Sequence, residues 1–289
     1  MSKFVFLNEK LVPEEEAKIS VYDHGYLYGD GIFDTMRSYN GTVFRLERHL
    51  DRLRANACSL ALSLPWSREE LAEAVNATIK ANNLPDAYIR LSISRGPGPI
   101  GIDPRLCPRP TLVVMAKELP GGREEIYTKG MATITLNTRR NPVRCLDPAI
   151  KSFNFLNNIL AKLELINAGF AEGIMLNYES KVAEGTVSNI FWYCQGALYT
   201  PSPEVGILLG ITRETVLEIA AKAGLEVRQG AYEVGGLYRA EESFFTNSAG
   251  EIMPVTQIDG RIIGGGRPGP ITGQLHQDYR DLVARETKS

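Results

Sequence analysis

Cysteine and histidine are scarce in this chain, with 4 Cys and 3 His among 289 residues. Cys58, Cys107, Cys145 and Cys194 stand far apart without a CxxC pair, which points away from a disulfide framework or zinc site and toward reduced thiols in a cytoplasmic protein. His24, His49 and His276 fall in no HExxH-like spacing, so no protein-bound metal is expected. Long apolar runs are missing too, which excludes a membrane-spanning helix. The N-terminus, Met-Ser-Lys-Phe-Val-Phe-Leu-Asn-Glu, turns charged before a signal-peptide core can form, and no export is expected. Charge of one sign is also absent: 32 Lys+Arg against 34 Asp+Glu leave a net −2. That excludes a strongly basic nucleic-acid binder, and 44% hydrophobic residues exclude a disordered tail protein.

Glycine and proline are plentiful, 27 and 16 residues without a period. They imply many turns and several places of close backbone approach. At roughly 100 to 200 residues per domain, the length predicts two domains. Residues 3 to 12 read as a hairpin and Gly31 to Tyr39 as a strand. Leu46, Leu50, Leu53, Ala57 and Leu60 recur at helical spacing. A second helix starts at Ser67, which forms a capping box with Glu70. Ala87 to Arg95 and Thr111 to Ala116 read as strands around the loop GPGPIGIDPRLCPRP. Charge, Pro and Gly coincide in KELPGGREEIYTKG, so residues 1–118 are expected to form a small domain, 119–130 a linker and 131–289 a large domain. In the latter, Met131 to Asn137, Gly173 to Tyr178 and Ser188 to Cys194 read as strands. Phe155 to Ala168, Thr212 to Ala223 and Ile271 to Arg285 read as helices. The mixed order gives an α/β or α+β fold class with two lobes.

Six places offer chemistry. Lys151 lies just before a helix with an apolar stripe of Leu156, Ile159, Leu160, Leu163 and Ile166. Facing the positive end of that helix dipole would depress its pKa, as an amine that attacks a carbonyl requires. Glu184, on the Gly turn of EGTVSNIF, could pair with a protonated ring nitrogen. Gly210 to Arg213 (GITR) enters a helix with Thr212 as N-cap, and its amides suit a phosphate. TNSAGE (Thr246 to Glu251) supplies hydroxyls and amides for an anion. Tyr88 and Arg90, two apart on a strand, share a face and could recognise a carboxylate. Arg52 lies off its helix's apolar stripe, with His49 and Asn56 three before and four after it. Taken singly, each has an ordinary reading: a snorkelling lysine, a solvated turn glutamate, a simple cap, a plain loop, a polar sheet face, a solvated arginine.

Taken together and in order, HGYLYGDGIFDTMR, HLDRL, YIR, KSFNFLNNILAKLE, EGTVSNIF, GITR and EIMPV resemble the fold type IV (class IV) pyridoxal-phosphate aminotransferases over nearly the whole chain. The branched-chain branch of that family is the nearer likeness. The resemblance implies a two-domain fold type IV enzyme with pyridoxal 5'-phosphate as cofactor and Lys151 as the Schiff-base lysine. Glu184 would pair with the pyridine nitrogen. Arg52, Ile211, Thr212 and Ser248 would bind the phosphate, and Leu208 would pack on the pyridine face. Ser248 and Ala249 would hold the substrate α-carboxylate, with Tyr28, Phe33 and Tyr88 lining the side-chain pocket. Arg90 would receive the distal carboxylate of glutamate or 2-oxoglutarate.

The implied reaction moves an amino group between branched-chain L-amino acids (Leu, Ile, Val) and 2-oxoglutarate in two half-reactions, Lys151 carrying a proton between substrate Cα and cofactor C4′. The partners are thus small amino acids and 2-oxo acids, with no nucleic acid or membrane. A homodimer or larger homo-oligomer is implied, with the loop at Gly96 to Pro104 closing a site. One departure is Phe155, where branched-chain enzymes carry a tyrosine. It leans toward the D-amino-acid branch, although Arg95 followed by GPGPIG does not match that branch's arginine and histidine pattern. D-amino-acid aminotransferase, aminodeoxychorismate lyase and a non-catalytic small-ligand binding module stay as alternatives.

Overall fold

The computed structural model describes residues 3–119 and 121–288. The chain divides into two compact units. One takes the residues up to Leu119, then Ile150–Asn154 and the residues from Val283 on; the other takes the rest up to Ala149 and Phe155–Leu282.

The first unit runs through β1 (Phe4–Leu7), β2 (Lys10–Pro13), α1 (His24–Tyr28), β3 (Gly31–Tyr39), β4 (Thr42–Val43), α2 (Leu46–Ser59), α3 (Arg68–Asn82), β5 (Ala87–Ser94) and β6 (Thr111–Glu118). Among the described residues its strands form a six-stranded sheet in the order β2-β1-β6-β5-β3-β4. All its pairings are antiparallel. Alternation along β3 sends Ile32 and Met36 into a core shared with Leu50 and Leu53 of α2, Leu71 and Val75 of α3, and Ile89 and Leu91 of β5. Phe33, Thr35 and Arg37 go to the other face. Each fully buried leucine in that core contributes about 1.5–3 kcal/mol. The capping box of α3 is formed: Ser67 Oγ accepts from Glu70 N at 3.1 Å, and the Glu70 carboxylate accepts from Ser67 N at 2.7 Å.

The second unit holds α4 (Arg123–Lys129), β7 (Met131–Thr135), α5 (Leu156–Ala168), β8 (Gly173–Leu176), β9 (Val182–Gly185), β10 (Asn189–Cys194), β11 (Ala197–Pro201), α6 (Ile211–Lys222), β12 (Glu226–Gly230), α7 (Val234–Leu237), β13 (Glu242–Asn247), β14 (Glu251–Ile258), β15 (Arg261–Ile262) and most of α8 (Pro270–Glu286). Among the described residues its sheet has nine strands, β12-β11-β10-β13-β14-β7-β8-β9 with β15 on β14. β7 runs parallel to β8 and β14, and β11 to β12, so the sheet is mixed. Ile190 and Trp192 of β10, Phe245 of β13 and Val255 of β14 fill its core with Leu237 of α7. Among the described residues no helix is long and apolar enough to cross a membrane.

Two local expectations change, and the direction of one helix face is decided. Gly210, not Thr212, is the N-cap of α6, and no side chain caps that helix. Glu184 sits in strand β9 and is buried, not on a solvated turn. The apolar stripe of α5 is turned outward: Leu156, Ile159, Leu160, Leu163 and Ile166 are between 49% and 61% exposed, while Asn158, Ala161 and Leu165 face inward. Periodicity shows that a helix has an apolar face but not what covers it.

Candidate active site

In the first unit the segment Ile150–Asn154 is laid along the start of β3. Phe33 N donates to Lys151 O at 3.0 Å and Phe153 N to Gly31 O at 2.8 Å, with a bridge between Ile32 and Ser152. These backbone bonds bring Lys151 beside Phe33, and its Nζ lies 4.6 Å from the Phe33 ring centroid. The helix whose dipole was expected to act on Lys151 begins only at Leu156 and belongs to the other unit. The aromatic ring is therefore the neighbour that the geometry gives its ammonium.

The register of β3 against β5 pairs Phe33 with Ser92, Thr35 with Arg90 and Arg37 with Tyr88, so Tyr88 and Arg90 share the Phe33 face. Arg90 Cζ stacks 3.6 Å from the same Phe33 centroid, and its Nε donates to Ser92 Oγ at 3.2 Å. Tyr88 Oη is 3.5 Å from Thr35 Oγ1. Burial pulls the Arg90 guanidinium below its ordinary pKa while Tyr88 pushes it back up. An arginine so placed still keeps its charge at neutral pH. Tyr28 is not gathered into this cluster: it ends α1, with its hydroxyl accepting from Gly101 N at 3.0 Å.

Arg52 is not a solvated arginine. Its Nε and Nη2 donate to Asp34 Oδ2 and Oδ1 at 2.8 and 2.7 Å, and His49 Nδ1 donates to Asp34 Oδ1 at 2.8 Å. Asp34 is wholly buried on the helix side of β3. Burial alone would raise its pKa, but Arg52 and His49 together hold it far below the carboxylate range. Burial in turn keeps the His49 imidazole below its ordinary value, against the pull of Asp34. The two-pronged bond fixes the plane of the Arg52 guanidinium.

In the second unit Glu184 is the centre of a buried polar group. Its Oε1 accepts from Arg140 Nε at 2.7 Å; its Oε2 accepts from Leu208 N at 2.9 Å and from Asn189 Nδ2 at 3.3 Å. Arg140 is held by Asn157 and Asn158 Oδ1 at 3.2 and 3.1 Å. Behind Glu184, the carboxylate of Glu172 accepts from Thr186 N and Oγ1 and from Ser188 Oγ, fixing the turn after β9. Asn189 Nδ2 also donates to Leu208 O at 2.8 Å. Gly210 lies so near that a Cβ on it would stand 2.2 Å from Asn189 Oδ1. From there α6 starts with Ile211 and Thr212 buried in an uncapped first turn. Asn189 pairs with Thr246 of β13, whose next turn carries Ser248 and Ala249, both half-buried. The structure thus brings Glu184, Leu208 and the Gly210 turn together through Asn189.

Asp34, His49, Arg140, Glu172, Asn158 and Asn189 escaped the sequence reading. His49 is visible there as the neighbour of Arg52 one turn away, while Asp34, Asn158 and Asn189 lie inside the family-like segments without being singled out. Asn158 hid in an apolar helix, and Arg140 in NTRRNPV has no local pattern to mark it.

The model of the family described as "Amino-transferase class IV" matches residues 31–258. The chain belongs to the class IV aminotransferases. It is 44% identical over 278 residues to a putative branched-chain-amino-acid aminotransferase of Methanocaldococcus jannaschii, covering 96% of each chain. It is 34% identical over 284 residues to a D-alanine aminotransferase of Listeria monocytogenes, covering 97% of this chain and 96% of the relative. Among solved structures, the T.th. branched-chain amino acid aminotransferase complexed with N-(5'-phosphopyridoxyl)-L-glutamate superposes with a TM-score of 0.92 at 33% identity, over 99% of this chain and 95% of that one. This aminotransferase therefore has the two-sheet α+β architecture of that class.

Proposed function

We propose that this aminotransferase moves the amino group between branched-chain L-amino acids (Leu, Ile, Val) and 2-oxoglutarate, with pyridoxal phosphate as its cofactor. One observation supports the reading above the others: Lys151 Nζ and the Arg90 guanidinium share the Phe33 ring, at 4.6 and 3.6 Å from its centroid. An amine that can join a carbonyl carbon and a planar fork of donors suited to a carboxylate lie against the same ring, and a dicarboxylic oxo acid needs both. The aromatic surfaces of Phe33 and Tyr88 in turn suit an aliphatic side chain; Tyr28, held apart from that cluster by its bond to Gly101, belongs to the pocket only on the family resemblance.

The residues fit the cofactor. Glu184, buried with the Arg140 cation and the Leu208 amide behind it, offers a carboxylate to a protonated pyridine nitrogen. The uncapped first turn of α6, approached closely at Gly210, offers amides to a phosphate. Thr246 Oγ1, buried two residues before Ser248, has no hydrogen-bond partner among the described residues. When bound, pyridoxal phosphate supplies an electron sink for the pair released as the Cα–H bond breaks. Lys151 Nζ would hold the cofactor at its aldehyde carbon and, as a free amine, would carry the proton between substrate Cα and C4′. Glu184 holds the proton on the pyridine nitrogen. On the family resemblance, Arg52, Ile211, Thr212 and Ser248 would hold the phosphate, Leu208 would pack on the ring, and Ser248 and Ala249 would hold the α-carboxylate. Arg90 takes the distal carboxylate of the dicarboxylic partner.

Two further parts belong to this reading. The protein works in the cytoplasm, and it does so as a homodimer or larger homo-oligomer. The outward apolar face of α5 supports the second part, because five large aliphatic side chains on one helix exceed what a solvated face carries. A second reading, a D-amino-acid aminotransferase, draws on Phe155 in place of a tyrosine. Rates with L-leucine and with D-alanine, each with 2-oxoglutarate, separate the two. Activity with the L-substrate is expected, and activity with D-alanine alone overturns the proposal.

A further inference from the structure

Outside the groups assigned above, a buried carboxylate with an imidazole and a partly exposed guanidinium as partners lies at the root of the turn that carries Ser248 and Ala249. Glu251, the first residue of β14, is 2% exposed and has φ +56°, a left-handed conformation that a side-chain-bearing residue keeps only where its surroundings impose it. Its Oε2 accepts from His276 Nε2 at 2.8 Å and from Arg280 Nε at 3.2 Å, both on α8. Tyr127 of α4 packs on both partners: its ring lies 4.6 Å from that of His276 and 4.8 Å from Arg280 Cζ. The Tyr127 hydroxyl then donates to Gly250 O at 3.2 Å. On the other side of the turn Asn247 Oδ1 accepts from Gly250 N at 2.6 Å, and Asn247 pairs with Glu251 across the strands. Two helices, one from each end of the unit's sequence, thus grip a single short turn by its backbone and by the carboxylate that follows it.

We infer that Glu251, His276, Arg280 and Tyr127 form a clamp that sets the shape of the 247–250 turn, and that they act as positioning residues for the cofactor phosphate and the substrate carboxylate. The inference rests on the reading that Ser248 and Ala249 touch those groups. The physical reason is geometric. A hydroxyl and two amides on a turn discriminate an anion only while the turn holds one conformation, and the left-handed Glu251 relaxes toward ordinary extended backbone once its carboxylate loses its partners. Ionic anchoring suits the task, since a carboxylate shared by a guanidinium and an imidazole N–H makes charge-assisted bonds that resist both translation and rotation.

The test uses the apo-protein titrated with pyridoxal phosphate and, separately, with pyridoxal, which lacks the phosphate. It compares Glu251→Ala, Glu251→Gln, His276→Ala and Ser248→Ala. Glu251→Ala and His276→Ala should weaken pyridoxal phosphate binding about tenfold or more, the loss expected for a charge-assisted bond. Pyridoxal binding should stay unchanged, and the KM for leucine should rise more than kcat falls. Glu251→Gln, which keeps an acceptor oxygen, should recover part of the loss. His276→Ala keeps the question open to measurement if Glu251→Ala does not fold. The clamp is overturned if its variants bind pyridoxal phosphate as tightly as the parent, or if they lose pyridoxal and pyridoxal phosphate affinity equally. Ser248→Ala reads out the underlying assignment on its own: an unchanged affinity there overturns the phosphate role of Ser248, whereas a loss there without one in the clamp variants overturns the clamp alone.

Discussion

Replacing Arg90 by alanine should split the two half-reactions of this enzyme. The guanidinium stacks 3.6 Å from the Phe33 centroid and is bonded to Ser92, so it is already oriented before any substrate arrives. A hydrogen bond to a charged group contributes about 1.5–3 kcal/mol. Losing that contact to a distal carboxylate should therefore cost about 10- to 150-fold in kcat/KM for L-glutamate. Leucine has no second carboxylate and forfeits only the stacking of Arg90 on Phe33, about 0.5–2 kcal/mol that is spread over folding and binding. Single-turnover rates with L-glutamate and with L-leucine, read from the cofactor's absorbance, give the ratio directly. A smaller loss for leucine is the expected result. Equal losses for both amino acids would refute the reasoning, because they would make Arg90 a structural prop and not a carboxylate receptor. Arg90→Lys should restore little, since an ammonium lacks the planar fork.

Other outcomes follow from the same geometry. Burial keeps His49 below its ordinary pKa of 6.5, so the unfolded chain binds a proton there that the native state refuses. Stability should rise with pH toward about 6.5, and His49→Gln should flatten that slope in unfolding titrations below about pH 6.5; an unaltered slope refutes it. Gly210→Ala places a Cβ 2.2 Å from Asn189 Oδ1, and Asn189 is tied to Leu208 and Glu184. Overpacking of about 1–3 kcal/mol should weaken pyridoxal phosphate binding by about 5- to 150-fold while the far-UV spectrum is kept, and an unchanged affinity tells against α6 as the phosphate site. Leu160→Glu puts charge on the outward face of α5 and should convert a dimer to monomers in analytical ultracentrifugation; a dimer that survives the substitution moves the interface elsewhere.

Much of the fold was written in local patterns. The Ser67 to Glu70 capping box, the helical recurrence from Leu46 to Leu60 and the β-branched and aromatic residues of Gly31 to Tyr39 each depend on neighbours a few residues away, and each signals an element that the structure has. Where local reasoning misled, the cause was missing surroundings. Glu184 looked like a solvated turn residue because EGT has turn chemistry, yet β9 and Arg140 bury it. The stripe of α5 was legible as an apolar face, but apolar periodicity is blind to which side another element occupies.

Lys151, Glu184 and the GITR and TNSAG turns are stretches whose residue types and order are already distinctive, so the sequence by itself determined the family and nominated the chemistry. What the tertiary structure alone decided is who stands beside whom. Asp34 is 18 residues from Arg52, Glu184 is 44 from Arg140, and Glu251 is 29 from Arg280. Buried charges must find partners, and sheet topology chooses which ones. The same applies to the return of Ile150–Asn154 to the first unit: two backbone bonds to β3, invisible in any local pattern, are what set the amine of Lys151 against the ring of Phe33.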